Sequence, residues 1–283
     1  MPPNAITELV PQLELNDGRK IPQLGFGVFQ VPPEETAAAV SHALRTGYRH
    51  IDTAAAYRNE AAVGEAIRAS GVKREDVFVT TKLWNRDHGA DKAPRAFERS
   101  LERLGDDYVD LYLIHWPVPQ RNLYVETWQT LIALHDDGRA RSIGVSNFEV
   151  EHLERIIEAT GVVPAVNQVE LHPRFQQREL RRFHAARGIL TEAWSPLGRG
   201  LLIEDETVAS IAEAKRRTPA QIVLRWHIQL GNVVIPKSVT PQRIEENARI
   251  FDFELEGDEM QAIASLDSPD GRIGPEPSKF AMV

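Results

Sequence analysis

The sequence predicts a single (β/α)8 barrel of the α/β class, with an N-terminal β-hairpin and a short C-terminal tail over the active-site face. Eight β-rich runs alternate with helical patterns along the 283 residues. Several of these runs are apolar nearly throughout, as parallel strands covered on both faces usually are. No Gly/Ser linker or low-complexity tract divides the chain. We therefore expect one domain over residues 1–283, with the hairpin at 11–22 and the tail at 268–283.

The hairpin is the first predicted element. Residues 13–15 are followed by Asn16-Asp17-Gly18 and then by Ile21, and an Asp-Gly pair tolerates the positive φ of a tight turn. The eight predicted strands follow at residues 24–28, 49–53, 77–83, 109–115, 141–145, 165–169, 190–194 and 233–236.

Helical spacing of apolar residues fills the intervals between these runs. Phe97, Leu101 and Leu104 stand at i, i+4 and i+7 and so share one helix face. Faces of the same kind are formed by Trp128, Leu131 and Ile132, and by Leu153, Ile156 and Ile157. Thr218-Pro219 and Thr240-Pro241 predict helix starts, because a hydroxyl cap is followed by proline in the first turn.

An open doubly wound sheet is the competing α/β architecture, and it usually carries the dinucleotide signature G-x-G-x-x-G. Gly25-Phe26-Gly27 and Gly198-Arg199-Gly200 both lack the third glycine. The barrel is therefore favoured.

Composition excludes several classes of function. The 33 basic and 41 acidic residues give a net charge of −8, which argues against nucleic acid or an anionic membrane as a partner. No apolar run approaches the roughly 20 residues of a membrane span. Residues 1–12 contain neither the basic nor the apolar segment of a signal peptide. We expect a cytoplasmic protein.

Other chemistries also lack their signatures. The chain has no cysteine, which excludes disulfides, thiolate metal sites and a cysteine nucleophile. The nine histidines form no H-x-x-x-H pair, and we predict no metal. Residues 144–148, Gly-Val-Ser-Asn-Phe, fail the nucleophile-elbow pattern because Phe148 replaces the second glycine.

Polar side chains follow one apolar strand after another. Barrel enzymes place their working residues at this end of the strands, so these side chains are expected to surround one cleft. They are Asp52, Lys82, His115, Ser146, Asn147, Gln168, Trp194, Lys237 and Ser238.

Five motifs resemble the signatures of the aldo-keto reductase family, in the family's order. They are GYRHIDTAAAY at 47–57 followed by Asn59-Glu60, TKLW at 81–84, DLYLIHW at 110–116, GVSNF at 144–148 and IPKS at 235–238. The resemblance runs from about residue 11 to the C-terminus. It is closest to the bacterial 2,5-diketo-D-gluconate reductase branch, notably at GVF (27–29) and AWSPLG (193–198).

The resemblance implies four catalytic residues: Tyr57, Asp52, Lys82 and His115. A hydride that reaches a carbonyl carbon leaves negative charge on the oxygen, and Tyr57 would protonate that oxygen as general acid. A phenol is a reluctant acid at neutral pH, and the ammonium of Lys82 is expected to lower its pKa. Asp52 would pair with Lys82, and His115 would donate a hydrogen bond to the substrate oxygen.

Each of these residues also has a structural interpretation. Asp52 and Lys82 would suit a structural ion pair, His115 a hydrogen-bonded core histidine, and Tyr57 a loop cap. Because all four stand in the family's register, the catalytic interpretation is preferred.

The resemblance also implies an NADPH site. Ser146, Asn147 and Gln168 would bind the nicotinamide carboxamide, and Trp194 would lie against the ring. The same part of the site would include Ser195, Leu197 and Gly198. The 2′-phosphate and adenine would be held by Lys237, Ser238, Val239, Thr240, Arg243, Glu246 and Asn247. This locus enters a helix start, where free N–H groups favour an anion, although a solvated basic surface is the alternative.

The substrate pocket is expected to have aromatic walls. Phe29, Trp84 and Trp116 would surround the polar floor with His115, although each of the three aromatic residues would also suit core packing. The tail would close over the pocket, with Arg272 as a candidate for an acidic substrate group.

These expectations define an NADPH-dependent reductase of aldehydes, α-dicarbonyls or sugar-derived ketones such as 2,5-diketo-D-gluconate, acting as a monomer. One alternative is a regulatory subunit that binds the cofactor and senses redox state with little turnover. A second is a cofactor-free barrel lyase or isomerase.

Overall fold

The computed structural model of the chain describes residues 6–7 and 9–283. The prediction about a secretion signal concerns residues 1–12, of which 1–5 and 8 lie outside the described residues. Within the described ranges, no helix is both long enough and apolar enough to cross a bilayer.

Strands and helices alternate along the chain. The strands are β1 (Gln12–Glu14), β2 (Lys20–Pro22), β3 (Phe26–Gly27), β4 (His50–Asp52), β5 (Phe78–Leu83), β6 (Val109–Ile114), β7 (Ala140–Ser146), β8 (Val166–Glu170), β9 (Leu190–Trp194) and β10 (Val233–Val234). The helices are α1 (Pro33–Thr46), α2 (Glu60–Ala69), α3 (Ala93–Leu104), α4 (Tyr124–Asp136), α5 (Val150–Thr160), α6 (Arg178–Arg187), α7 (Glu206–Lys215), α8 (Pro219–Gln229), α9 (Pro241–Ala248) and α10 (Gly257–Ala264).

Eight parallel strands form the barrel in sequential order from β3 to β10. Leu24 pairs with Val234 in a parallel bridge, and the N–H of Gly25 donates to the carbonyl of Val234 at 2.8 Å, so the first and last strands meet. Strands β5, β6 and β8 are buried along their whole length, because helices cover the outer face of the barrel and side chains fill its interior. The predicted (β/α)8 fold is confirmed, and each predicted run overlaps one strand.

The predicted hairpin closes one end of the barrel. β1 and β2 pair antiparallel with Leu13 opposite Ile21, and Gly18 takes a φ of 82° in the turn between them. Leu15 and Ile21 pack against inward-facing residues of the barrel strands, namely Phe78, Leu111, Leu113, Val166 and Val233. The hairpin therefore seals the N-terminal end of the barrel and leaves the C-terminal end for a site.

The two predicted helix starts differ in their caps. The Thr218 hydroxyl accepts the N–H of Gln221 at 3.3 Å, and the Gln221 side chain accepts the N–H of Thr218 at 3.0 Å, which is a capping box. Helix α9 does begin after Thr240, but the Thr240 side chain makes no cap. The backbone N–H of Thr240 instead donates to Oγ of Ser238 at 3.1 Å. The predicted hydroxyl cap at Thr240 is therefore wrong.

The C-terminal tail crosses the open end of the barrel. The Phe280 ring lies against Trp116 with their centroids 4.3 Å apart. The Glu170 carboxylate accepts the N–H groups of Ile273 and Gly274 at 2.6 and 2.7 Å. These contacts hold the tail at the mouth of the cleft.

Candidate active site

The polar residues that follow the strands surround one cavity at the C-terminal end of the barrel. Its volume is about 1340 Å³, above the roughly 300–1,000 Å³ typical of a pocket for one drug-sized ligand. The predicted residues that line it are Phe29, Asp52, Tyr57, Trp84, His115, Trp116, Ser146, Asn147, Gln168, Trp194, Ser195, Leu197, Lys237, Ser238, Val239, Thr240, Arg243, Glu246 and Asn247.

Two predicted site residues do not line the cavity. Lys82 is fully buried, with its Nζ 5.2 Å from the centroid of the Tyr57 ring. Gly198 is buried in a turn, with a φ of 57° and its N–H donating to the carbonyl of Ser195 at 2.8 Å. Gly198 therefore stabilises the loop that follows β9.

Asp52 and Lys82 form a buried pair on neighbouring strands. Lys82 Nζ lies 2.6 Å from Asp52 Oδ1 and donates to the carbonyl of Thr53 at 2.9 Å, while Asp52 Oδ2 accepts Nε2 of Gln168 at 2.8 Å. Burial lowers the pKa of Lys82, but Asp52 and Tyr57 raise it by more, so the ammonium is charged at neutral pH. Burial raises the pKa of Asp52 and Lys82 opposes this rise. Because both oxygens accept hydrogen bonds, the geometry is that of a carboxylate.

Tyr57 ends a short 3-10 turn, Ala55–Tyr57, that follows β4. Burial raises the pKa of Tyr57 to about 12, and the Lys82 ammonium opposes the rise without cancelling it. The predicted lowering by Lys82 is therefore present, but the larger effect of burial, which the sequence does not reveal, raises the pKa overall. Tyr57 carries its proton at neutral pH and can donate it.

His115 follows β6 and stands edge-on to two aromatic rings. Its ring centroid lies 5.6 Å from that of Tyr57 and 5.2 Å from that of Trp84. Burial, with Lys82 and His88, lowers the pKa of His115 well below its usual range, so the imidazole is neutral. Nδ1 is buried with no hydrogen-bond partner among the described residues. If the single proton of the neutral ring is on Nε2, no buried N–H at Nδ1 is left without an acceptor. The N–H at Nε2 is then the one hydrogen-bond donor of the ring.

Ser146, Asn147, Gln168 and Trp194 form one hydrogen-bonded cluster. Ser146 Oγ donates to the backbone carbonyl of Gln168 at 2.8 Å, and Asn147 Nδ2 donates to Ser146 Oγ at 3.0 Å. The Trp194 indole donates to Asn147 Oδ1 at 2.8 Å. Within the described residues the side-chain Oε1 of Gln168 accepts no hydrogen bond, so it is the acceptor that this cluster can offer to a ligand amide.

Five non-glycine residues that line the cavity have left-handed backbones, among them Arg199 with a φ of 54°. Asn147 and Ser195 follow β7 and β9 with φ of 62° and 49°, and Gln30 and Arg58 both have a φ of 58°. This region is uncommon for residues other than glycine. Such conformations cluster at ligand-binding sites, where the surrounding structure holds them.

The end of the cavity at helix α9 is positively charged. Lys237 and Arg243 are exposed and form no ion pair with any described residue. The first turn of α9 begins between them at Pro241, and free N–H groups at a helix start attract anions. Lys237, Arg243 and this turn can therefore hold a phosphate.

Phe29, Trp84 and Trp116 line the cavity, and the tail adds four residues that sequence analysis missed. Phe29 is 45% exposed, and its ring lies 5.1 Å from that of Tyr57. Pro275, Phe280, Met282 and Val283 line the cavity from the tail. The predicted role of Arg272 is wrong, because its guanidinium lies 4.5 Å over the Phe175 ring and does not line the cavity.

Sequence analysis also missed the basic lining of the cavity. Three lining residues are acidic and seven are basic, although the chain has a net charge of −8. The basic residues are Arg58, Arg86, Arg99, Arg103, Arg199, Lys237 and Arg243. Arg58 is exposed beside Tyr57 and forms no ion pair with a described residue. Its place directly after Tyr57 was the available signal.

One group of possible metal ligands lies outside the cavity, among the described residues. Glu149, Glu151 and His152 gather at the start of α5. The positive end of a helix dipole opposes a cation there, and Nδ1 of His152 already accepts the backbone N–H of Glu149 at 3.1 Å.

The C-terminal end of the barrel thus holds a tyrosine, a buried lysine–aspartate pair and a histidine. Comparison with known proteins identifies a family with the same fold. Residues 23–268 match the aldo/keto reductase family. An aldo-keto reductase of Mycolicibacterium smegmatis is 60% identical over 270 residues, 95% of this chain and 98% of that protein. Methylglyoxal reductase DkgA of Escherichia coli is 51% identical over 271 residues, 95% of this chain and 97% of that protein.

Comparison with solved structures also supports the aldo/keto reductase family. A variant of Gox0644 in complex with NADPH has a TM-score of 0.93 and 51% identity, covering 96% of this chain and 98% of that one. The chain belongs to the aldo/keto reductase family and is an oxidoreductase. The resemblance found in the sequence is confirmed.

Proposed function

We propose that this protein reduces aldehydes and α-dicarbonyl compounds, or sugar-derived ketones, to alcohols with NADPH. The observation that carries the proposal is the arrangement at the cavity floor. A protonated Tyr57 stands beside the charged Lys82, which Asp52 holds at 2.6 Å, and a neutral His115 faces Tyr57 edge-on. This set can supply a proton and a hydrogen bond to one carbonyl oxygen.

The cavity fits NADPH at both ends. Trp194 provides an aromatic face and Gln168 a free amide acceptor at the floor, which suits a nicotinamide carboxamide. Lys237 and Arg243 provide unpaired positive charge at the other end, which suits a 2′-phosphate. A volume of about 1340 Å³ leaves room for a small substrate beside a dinucleotide.

When bound, NADPH would supply the hydride for the carbonyl carbon. Tyr57 donates its phenolic proton to the carbonyl oxygen as charge develops there. The Lys82 ammonium stabilises the phenolate that remains, and Asp52 keeps that ammonium charged and in place. His115 orients the oxygen by donating from Nε2. Phe29, Trp84 and Trp116 restrict water around the reacting atoms.

Two observations narrow the substrate. A methylglyoxal reductase is 51% identical to this chain, which supports α-dicarbonyls. Arg58 and Arg86, which lie close to Tyr57 and Trp84 in the sequence, line the same cavity, which supports substrates that also carry a carboxylate, such as 2,5-diketo-D-gluconate. These two arginines take the place that the sequence had suggested for Arg272.

We also propose that the protein acts as a monomer in the cytoplasm, with no nucleic-acid partner. All residues of the proposed chemistry come from one chain, so the site needs no partner subunit. The absence of cysteine suits a reducing compartment.

NADPH consumption, followed optically with phenylglyoxal, methylglyoxal and 2,5-diketo-D-gluconate in turn, tests the proposal. We expect turnover of at least one of them. Tight NADPH binding without turnover of any carbonyl compound would favour the redox-sensing regulatory subunit. Failure to bind either nicotinamide cofactor would favour a cofactor-free lyase or isomerase.

A further inference from the structure

A second buried carboxylate lies next to the catalytic pair. Glu192 is on β9 and is fully buried, and its Oε2 accepts a hydrogen bond from Nε2 of Gln168 at 3.0 Å. The same nitrogen donates to Oδ2 of Asp52 at 2.8 Å. Both hydrogens of the Gln168 amide are therefore taken, one by each carboxyl group.

This double contact fixes the orientation of the Gln168 side chain. A flipped amide would place its carbonyl oxygen against the oxygens of Asp52 and Glu192, which repel it. The NH2 group therefore faces the two carboxyl groups, and Oε1 is left as the free acceptor of a residue that lines the cavity.

We propose that Glu192 is a positioning residue, which together with Asp52 locks the Gln168 amide so that Oε1 is presented to the nicotinamide carboxamide. This inference rests on the proposed NADPH-dependent function. Glu192 touches neither cofactor nor substrate in this arrangement and positions the amide of Gln168.

The surroundings of Glu192 favour its neutral form. His50 Nε2 lies 3.6 Å from Glu192 Oε1, beyond hydrogen-bond reach, and burial lowers the pKa of His50 to about 3, so this histidine offers no countercharge. Burial and the charge of Asp52 raise the pKa of Glu192 to about 8, and Gln168 and Lys82 oppose this rise.

Ionisation of Glu192 would affect the proton donor. The titratable groups that face it are His50 and Asp52 on β4, Lys82 on β5, and Tyr57 after β4. A negative charge on Glu192 raises the pKa of Tyr57 and so makes it a weaker acid. Reduction should therefore slow as pH rises through about 8.

Two variants test the inference, with NADPH binding measured by titration calorimetry and turnover measured from pH 6 to 10. Glu192→Gln keeps an acceptor for Gln168 and cannot ionise. We expect wild-type NADPH affinity at neutral pH and an alkaline decline in turnover moved to higher pH.

Glu192→Met removes the acceptor and leaves one N–H of Gln168 without a partner. We expect NADPH to bind about tenfold more weakly, with the KM for phenylglyoxal little changed.

Glu60→Gln is the matched control, because Glu60 is an equally buried glutamate that pairs with Thr81 and Arg103 away from Gln168. It should leave NADPH affinity and the alkaline decline unchanged, with thermal unfolding reporting that each variant is folded. If Glu192→Met binds NADPH as tightly as the wild type, the inference is overturned. If Glu192→Met does not fold, the NADPH affinity of Glu192→Gln decides, because a loss of affinity in a variant that keeps the acceptor would overturn the inference. A wild-type alkaline decline in Glu192→Gln would overturn the effect of Glu192 on Tyr57. A wild-type protein that neither binds NADPH nor reduces any carbonyl would instead overturn the proposed function.

Discussion

The indole N–H of Trp194 donates a 2.8 Å hydrogen bond to Oδ1 of Asn147. This bond joins the end of β9 to the left-handed residue that follows β7, where φ is 62°. Asn147 in turn donates to the backbone carbonyl of His115 at 3.0 Å. Hydrogen bonds therefore connect Trp194, Asn147 and the backbone of His115. A substitution of Trp194 should change the orientation of the Asn147 amide.

Trp194→Phe keeps an aromatic face, removes the N–H donor and makes the ring smaller. We expect NADPH to bind about two- to tenfold more weakly, because Asn147 loses a hydrogen bond that holds its orientation. Trp84→Phe is the same substitution in the same cavity, but Trp84 contacts His115, so it should raise the KM of the carbonyl substrate and spare NADPH. Equal effects of the two variants on the Kd of NADPH would contradict this assignment.

Tyr57→Phe removes the proposed proton and little else. Turnover should fall by on the order of 10² or more, while NADPH affinity stays near that of the wild type. Steady-state reduction of phenylglyoxal and calorimetric NADPH binding measure the two quantities. Tyr108→Phe is the control, because Tyr108 lies between Arg74 and Arg141, outside the cavity. A Tyr57→Phe enzyme that keeps most of its rate would remove Tyr57 from the acid role.

Lys82→Met should be among the most destabilising substitutions in the site. It leaves the Asp52 carboxylate buried without its ammonium partner. Breaking a buried pair in this way lowers the free energy of unfolding by about 3–5 kcal/mol. Lys82→Met combined with Asp52→Asn removes both charges and should recover part of that loss. Urea unfolding of the single and double variants measures the difference. A double variant that is no more stable than Lys82→Met would show that the buried charge is not the cause.

The barrel and the floor of the site could be predicted because both depend on local sequence. Parallel strands have continuous apolar runs, and their carboxyl ends meet at one edge, so the sequence alone places Asp52, Lys82 and His115 at the same end of the barrel. Glu192 carried the same kind of signal and was missed. It is a charged residue within an apolar strand, two positions before Trp194, and side chains two apart on a strand share a face.

The tail and the electrostatics could not be predicted in the same way. The contact of Phe280 with Trp116 joins residues far apart in the chain, and no local pattern fixes the path of a proline-rich tail. The pKa of Tyr57 required the extent of its burial, which the sequence does not give. Arg272 was assigned to the pocket from its position alone, and its contact with Phe175 was not foreseeable.

Arg243→Ala should weaken NADPH far more than NADH, because only NADPH carries the 2′-phosphate that this side chain is proposed to bind. Arg249→Ala is the control: it lies at the other end of α9 and pairs with Glu245 at 3.6 Å. Comparison of the KM values for the two cofactors in each variant measures the effect. If Arg243→Ala weakens both cofactors equally, the phosphate is bound elsewhere.

Buried histidines should make the protein sensitive to acid. Burial lowers the pKa of His184 and His227 to about 3, against about 6.5 for an unfolded histidine. Between these values the unfolded chain binds more protons than the folded chain, so stability rises with pH across the window and is lost as pH falls from 6.5 toward 3. The contacts of His184 require the neutral ring, because Asn167 donates to its Nε2 at 3.0 Å while Nδ1 bonds Thr191 at 2.9 Å.

His184→Gln therefore removes one of the groups that cause this dependence. Its stability between pH 4 and 6 should change with pH less steeply than that of the wild type, by up to about 1.4 kcal/mol per pH unit for one proton. Urea unfolding at several pH values measures the slopes, and His42→Gln, at a partly exposed histidine paired with Glu245, is the control. Identical slopes in the wild type and His184→Gln would mean that His184 titrates alike in the folded and unfolded chains, and that its burial does not oppose protonation.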